Sequence, residues 1–383
     1  MNDSALEPKE ELLETGEGSG IELEMSDLLG LPQEILRPFD PEKIKVARAT
    51  KTISLLLTRI EHGEIDLAPD FQRRARIWSE KRKSLLIESL LLKIPLPVFY
   101  VAADENDCWA VVDGVQRLTT IYDFCKDEIA LTNLEYLKEF EGVIFSVLPR
   151  NMQRRIEETE LVINVIEPGT SDEVMFNIFK RINTGGLALN AQEIRHALNK
   201  GPVRKFLEDI AGSEVFLKTT DGSISDLRMA ARECVLRFSA FWLTDWRQYG
   251  ANDLDRFLGS AMKDINELDH SGREDLRRHL ERSMKAAFAI FHDDAFRKRY
   301  DINAGRAPIS KALFEAWTVN LAKRTDEELD TLVERSTEVR ADYLIMMNED
   351  IEFASAISAS TGAPGRVVKR FEAIEELLDG VLE

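Results

Sequence analysis

The spacing of apolar residues changes character about halfway along the chain. In the first half, helical spacing over residues 52–62 and 79–93 is interleaved with short β-type runs at 97–102, 108–112 and 161–166. Interleaved helices and strands of these lengths predict an α/β domain.

The second half shows only the periodicity of amphipathic helices. The predicted helices cover residues 226–242, 253–268, 274–291, 309–323, 327–347 and 366–378. A chain of 383 residues is long enough for two hydrophobic cores. We therefore predict an α+β protein in which an α/β domain over residues 41–201 is followed by an all-helical domain over 202–383.

Charge separates a third region from these two domains. The formal net charge is −19, and residues 1–40 hold eleven acidic residues against Lys9 and Arg37. High charge with few apolar residues predicts a disordered acidic tail over residues 1–40. The tail either improves solubility or acts as a DNA mimic or as an intramolecular plug for a basic groove. The plug hypothesis predicts tighter ligand binding after deletion of residues 1–38.

Several classes of protein do not fit the sequence. The N-terminus has no export signal and the apolar runs are too short for a membrane span, so we expect a cytoplasmic protein without a membrane partner. The three cysteines and five histidines lack metal-site spacing. There is no GxxxxGK[ST] phosphate loop and no His–Asn nuclease cluster. Any nucleotide chemistry is therefore not of the P-loop kind.

The strongest candidate chemistry lies where the predicted strand 108–112 reaches Asp113 and Gly114. A helix follows immediately, and a helix N-terminus offers unpaired N–H groups to an anion. Arg117 is placed to add a bidentate contact to a phosphate. Asp113 is interpreted as a helix cap, a brace for an arginine or a ligand for Mg²⁺, and Gln116 as a residue that orients an attacking water.

Two further polar segments extend this candidate site. Arg73 lies in the loop before the helix at 79–93, and a glycine-containing turn over 183–186 precedes a helix that begins with the capping pair Asn190 and Glu193. Arg195 lies in that helix. We predict that Arg73, Arg117 and Arg195 bind the phosphates of a nucleotide.

Three segments together resemble the N-terminal domain of GmrSD-type restriction endonucleases. They contain APDFQRRARIW, VVDGVQRLTTIYDF and FKRINTGGLALNAQEIRHALNKG, within residues 50–201. The resemblance implies a ParB/sulfiredoxin-like fold. It also implies nucleotide binding and hydrolysis at an Asp-Gly-Gln-Gln-Arg motif, in a bacterial phage-defence or restriction system that acts on phage DNA.

Carried over residue by residue, the resemblance assigns the main motif to Asp113, Gly114, Gln116 and Arg117. The third motif position is Val115 where the family has glutamine, which removes one polar contact, so the resemblance implies binding more strongly than hydrolysis. The other matched positions are Gln72, Arg73, Asn183, Gly185, Gly186, Glu193 and Arg195.

The leading hypothesis is a nucleotide-binding module, and a candidate NTPase, that senses or regulates while a partner nuclease subunit cuts DNA. Its ligand would be a nucleoside triphosphate of unspecified base, with Mg²⁺ as an optional metal, and a homo-oligomer is compatible with it. One alternative is a ParB-like DNA-binding protein or nuclease subunit. The other is a non-enzymatic interaction subunit with a vestigial pocket, which Val115 favours.

Overall fold

The computed structural model describes residues 8–13, 16–23, 45–67, 78–170, 172–182, 189–250, 253–301, 303 and 305–383. The described strands are β1 Glu10–Leu12, β2 Gly18–Glu22, β3 Val46–Thr52, β4 Ile65–Asp66, β5 Phe99–Ala103, β6 Trp109–Asp113 and β7 Glu160–Ile166.

The described helices of the first half are α1 Ile53–Glu61, α2 Glu80–Leu91, α3 Val115–Cys125, α4 Arg150–Glu157, α5 Asp172–Ile182 and α6 Ala191–Leu198. Those of the second half are α7 Pro202–Ala211, α8 Glu214–Thr219, α9 Ala230–Leu243, α10 Leu254–Glu267, α11 His270–Phe291, α12 Lys311–Ala322, α13 Asp326–Glu334, α14 Ser336–Glu349, α15 Ile351–Ala356 and α16 Pro364–Leu382. Short 3₁₀ helices cover Lys138–Phe140, Phe145–Val147, Asp226–Arg228, Trp246–Gln248 and His292–Asp294.

The chain forms two compact units. The α/β unit comprises residues 37–198, and the helical unit comprises residues 199–383 together with the described residues before position 24. The predicted fold class, a mixed α/β domain followed by a mostly helical remainder, is confirmed.

The α/β unit is built on a five-stranded mixed sheet with the order β3-β7-β5-β6-β4. Strand β5 pairs parallel with β7 and antiparallel with β6. Tyr100 in β5 is opposite Asp113 in β6, so the last residue of β6 lies beside the first residues of β5. The turn that follows β6 is therefore held next to the chain that enters β5.

Both faces of this sheet are covered. On one face Ala102, Val112 and Ile166 pack in a cluster with Phe179 of α5 and Ile194 of α6. Residues that alternate with these along the strands point to the opposite face. Those residues are buried as well, and they include Phe99, Val101, Val111 and Ile163.

The helical unit has one large core centred on α9 and α12. Every residue of α12 from Ala312 to Ala322 is buried, and α12 contacts α9, α11 and α16. The predicted single helix over 327–347 is wrong in one respect. It is divided at Arg335 into α13 and α14, because Arg335 leaves helical geometry while Val339 and Tyr343 remain in the core.

The prediction of a disordered tail is wrong for the described residues 8–13 and 16–23. Strands β1 and β2 pair, and Gly20 N donates to the Glu10 carboxylate over 2.6 Å. Ile21 is completely buried in the core of the helical unit and pairs with Ile309. The segment is acidic, but Gly20 has no Cβ, which at this position would lie 1.8 Å from the Ser223 carbonyl oxygen, so the backbone can approach the helical unit closely.

Candidate functional site

The candidate site is centred on the turn between β6 and α3. Gly114 has φ of +99° and forms the N-cap of α3, so no side chain caps this helix. A Cβ at this position would lie 2.4 Å from Cδ1 of Phe99. The first turn of α3 also contains no acidic residue. The helix therefore presents its first N–H groups and its partial positive charge without a capping carboxylate from its own first turn.

We expect Gly114→Ala to destabilise the α/β unit by the φ penalty of about 1 kcal/mol plus about 1–3 kcal/mol for the contact with Phe99. Gly63→Ala is the matched control, because Gly63 has φ of +71° and no described atom would lie within 4 Å of its Cβ. Urea unfolding of both variants measures the difference. Equal losses of stability in the two variants would show that the contact with Phe99 is easily relieved.

Arg117, in the first turn of α3, is held by four groups. Its Nη2 lies 3.1 Å from Oδ2 of Asp113 and donates to the Val98 carbonyl over 3.2 Å, while Nη1 donates to the carbonyl of Pro97. The guanidinium also stacks over the Phe99 ring, 4.3 Å from its centroid. Only 11% of this side chain is exposed. Burial lowers the pKa of Arg117, and the Asp113 carboxylate opposes that shift.

These contacts distinguish between the three interpretations of Asp113. It does not cap α3, because Gly114 is the N-cap, and its carboxylate braces Arg117. Only Oδ2 of this carboxylate contacts the guanidinium, and the role of Asp113 as a Mg²⁺ ligand stays a prediction. Arg117 in turn fixes the backbone at positions 97–98, and its role as a phosphate ligand stays a prediction.

The two residues between Gly114 and Arg117 differ in their surroundings. Val115, the third position of the motif that the resemblance implies, is buried, with 9% of its surface exposed. An apolar side chain suits that environment. Gln116 is half-buried, and its backbone carbonyl accepts a hydrogen bond from the Thr120 hydroxyl over 2.7 Å.

The predicted capping box at the start of α6 is present. Asn190 N donates to Glu193 Oε2 and Glu193 N donates to Asn190 Oδ1, both over 2.8 Å. Arg195 is 2% exposed, and its Nε donates to Gln192 Oε1 over 2.9 Å. Arg195 is thus an interior cation and is not a solvated surface arginine.

Helix α6 packs against β6, the strand that ends at Asp113. Ile194 of α6 and Val112 of β6 belong to the same apolar cluster. Glu193 and Arg195 therefore lie on a helix that is anchored to the strand carrying the main motif. The remaining predicted site residues, Gln72, Arg73, Asn183, Gly185 and Gly186, lie outside the described residues.

Sequence reasoning missed Phe99 and the carbonyls of Pro97 and Val98. They complete the surroundings of Arg117, but one strand residue and two backbone oxygens do not form a motif that can be recognised in a sequence.

Among the described residues, no group of three or more His, Cys, Asp or Glu side chains forms a metal site. Cys108, Cys125 and Cys234 are free, and burial raises the pKa of Cys125 and of Cys234 to about 12.

The sheet, the glycine turn and the braced arginine define an α/β domain with a candidate anion site at a helix N-terminus. Residues 53–199 match the family model described as GmrSD restriction endonuclease, N-terminal domain. The predicted resemblance is confirmed over this range. The match supports the interpretation of this protein as a component of a restriction or phage-defence system. No curated protein and no solved structure matches the chain. None of the described helices combines the length and the apolar character needed to cross a membrane.

Proposed function

We propose that the α/β unit binds the phosphate groups of a nucleoside triphosphate at the N-terminus of α3 and acts as a nucleotide-dependent sensor or regulator in a restriction or phage-defence system. The observation that carries this proposal is the uncapped start of an eleven-residue helix directly after Gly114. Helix starts of this kind are common sites for phosphate, since backbone N–H groups and the helix dipole both favour an anion.

Charge distribution supports a phosphate ligand in this unit. Residues 37–198 hold 22 Lys and Arg against 25 Asp and Glu, a net charge of −3, so most of the −19 lies elsewhere in the chain. A nearly neutral unit with Arg117 beside the helix start does not repel a nucleotide as strongly as the total charge suggests. The nearly neutral charge of this unit is also compatible with local DNA binding, which is therefore the second candidate function.

The proposed roles follow from the environment of each residue. Asp113 positions Arg117, and Arg117 holds the chain at 97–98 and supplies positive charge next to the start of α3. Gln116 would orient a water for hydrolysis, and Arg73 and Arg195 would add positive charge around the phosphates. No step of this proposal depends on Mg²⁺.

Titration calorimetry of the full chain with ATP, GTP and CTP tests the proposal. We expect Arg117→Ala to raise the Kd by about 10–150-fold, the equivalent of losing roughly 1.5–3 kcal/mol from hydrogen bonds to charged oxygens. Arg117→Lys keeps the charge but loses the planar contacts with Asp113 and the two carbonyls, so we expect an intermediate Kd. Phosphate release from the same samples separates a hydrolase from a sensor.

Arg59 provides a matched control at the other end of β6. It stacks over Trp109 at 4.1 Å, pairs with Glu64 and Asp107 and is 12% exposed, so Arg59→Ala removes a similarly buried arginine. We expect this variant to bind nucleotide like the native chain. If Arg59→Ala weakens binding equally, the effect is on folding, and if no nucleotide binds the native chain, the proposal is wrong. Binding of DNA that weakens steeply with salt would then favour the ParB-like alternative.

A further inference from the structure

The helical unit contains a groove between α14, α15 and α16. Its α14 side is formed by positions 342, 345, 346 and 349, which share one face of that helix, and its α16 side by 373, 376, 377 and 380. The groove has a volume of about 790 Å³. A groove lined by two helix faces can accept the apolar face of a third, amphipathic helix.

The floor of the groove is apolar and open to solvent. Its apolar lining residues are Ile345, Met346, Ile351, Ala373 and Leu377. Ile351 is 81% exposed and Ile345 is 53% exposed. Exposed apolar side chains that converge on one depression, unlike scattered ones, mark an interaction surface.

The rim of the groove is acidic. It is formed by Asp342, Glu349, Asp350, Glu352 and Glu376, and no described lysine or arginine lines the groove. Asp350 forms a 2.8 Å salt bridge with Lys369, whereas the other four have no ion pair with a described basic side chain. Residues 342–383 hold nine acidic and three basic residues, so the negative charge is concentrated around this groove.

We propose that this groove is the docking site for a basic amphipathic helix of a partner protein. The partner would place apolar residues at i, i+3, i+4 and i+7 on the floor and lysine or arginine side chains against the acidic rim. This inference does not depend on nucleotide binding, because every residue that carries it belongs to the helical unit.

The charge of each possible occupant favours a basic partner helix over a second copy of the chain and over its own N-terminal residues. A second copy that used the same face would bring two acidic rims together, which is repulsive. The N-terminal residues 1–40 of the chain have a net charge of −9, so they do not complement the rim. A basic segment satisfies both the apolar floor and the four carboxylates without ion pairs.

The test uses the full chain and a fluorescently labelled helical peptide in which leucine occupies i, i+3, i+4 and i+7 and lysine occupies most other positions. Fluorescence anisotropy measures the Kd without nucleotide. We expect Glu349→Lys with Glu376→Lys to raise the Kd at least tenfold, and Ile351→Ser to raise it severalfold. A peptide with glutamate in place of each lysine should not bind.

Asp330→Lys with Glu334→Lys is the matched control. Both residues are exposed on α13, outside the groove lining, and the variant changes the net charge by the same amount. We expect its Kd to stay within twofold of the native value at physiological salt, because neither residue lines the groove and salt weakens attraction between exposed charges. Thermal melting of each variant confirms that it is folded.

Three results would overturn the proposal. The first is no binding of the lysine peptide, and the second is an equal loss of affinity in the α13 control, which would indicate diffuse attraction to an acidic protein. The third is a concentration-dependent dimer that Ile351→Ser abolishes in sedimentation experiments, which would assign the groove to a second copy.

Discussion

Glu315→Ala is expected to destabilise the helical unit by about 3–5 kcal/mol, because it leaves the buried guanidinium of Arg370 without its counter-charge. Glu315 and Arg370 are both 0% exposed, and Arg370 Nε donates to Glu315 Oε1 over 3.0 Å. Arg237, 4% exposed, lies 3.5 Å from the second carboxylate oxygen. The carboxylate therefore joins α9, α12 and α16 in the interior.

The rest of this network does not replace Glu315. Arg237 is also paired with Glu233 over 2.9 Å, and Lys311 with the other oxygen of Glu233 over 2.9 Å. Removal of Glu315 thus leaves Arg370 with the backbone carbonyls of Ala356 and Thr361, while Arg237 and Lys311 stay paired with Glu233. With an m value of roughly 2 kcal/mol/M, the urea midpoint of the helical unit should fall by about 1.5–2.5 M.

The matched control is Glu338→Ala, which removes an exposed partner of Arg335. The two side chains are 37% and 45% exposed, and pairs of this kind contribute about 1 kcal/mol or less. Tryptophan fluorescence follows both variants during urea unfolding. A midpoint for Glu315→Ala as close to the native value as that of Glu338→Ala would mean that water or rearranged side chains solvate the buried guanidinium of Arg370.

Gly20→Ala is expected to displace β2 from the helical unit and to lower its stability by about 3–5 kcal/mol. Gly20 has φ of +79°, and a Cβ there would lie 1.8 Å from the Ser223 carbonyl oxygen, so the two backbones cannot keep their separation. Displacement exposes Ile21 and takes Glu22 away from Lys298, whose side chain is only 2% exposed and lies 2.5 Å from that carboxylate. Loss of one partner from a buried ion pair has this magnitude.

Gly16→Ala is the control that separates the cost of a positive φ at alanine from the steric clash with the Ser223 carbonyl. Gly16 has φ of +83°, but no described atom would lie within 4 Å of its Cβ, so we expect a loss of about 1 kcal/mol or less. Hydrogen exchange at Ile309, whose N–H donates to the Gly20 carbonyl over 2.9 Å, reports directly on β2. Unchanged protection at Ile309 in Gly20→Ala would show that the strand stays in place.

The tail hypotheses can be separated in the same experiments. If β2 is a structural strand, deletion of residues 1–38 destabilises the helical unit. If the tail is a plug, the deletion tightens nucleotide binding. The two effects are measured independently, by unfolding and by calorimetry.

Much of the α/β unit could be predicted because its signals are local. Thr52 and Ser79 cap α1 and α2, Asn190 and Glu193 form their capping box, and the turn from Asp104 joins two strands as expected. Each of these features depends on residues within a few positions of one another. The family resemblance rested on motifs of the same local kind, and the family-model match over residues 53–199 confirms it.

The features that sequence reasoning missed depend on distant parts of the chain. Strand β3 has mostly polar, alternating residues at a sheet edge, and only its pairing with β7 defines it. The environment of Arg117 requires the carbonyls at 97–98, about twenty positions earlier. Strand β2 looked like part of an acidic tail because its partners, Ser225 and Ile309, are more than 200 positions away.

The pairing of β2 with the helical unit has a consequence for protein synthesis. Glu22 and Lys298 are separated by 276 positions, so a ribosome that adds about 5–20 residues per second needs roughly 14–55 s to supply the partner of Glu22. Until Ser225 is made, strand β1 is the only described backbone partner of the chain from Gly18 to Glu22. Glu10, Glu11 and Glu17 beside it would then limit pairing with other nascent chains, because flanking charges act as gatekeepers of exposed strands.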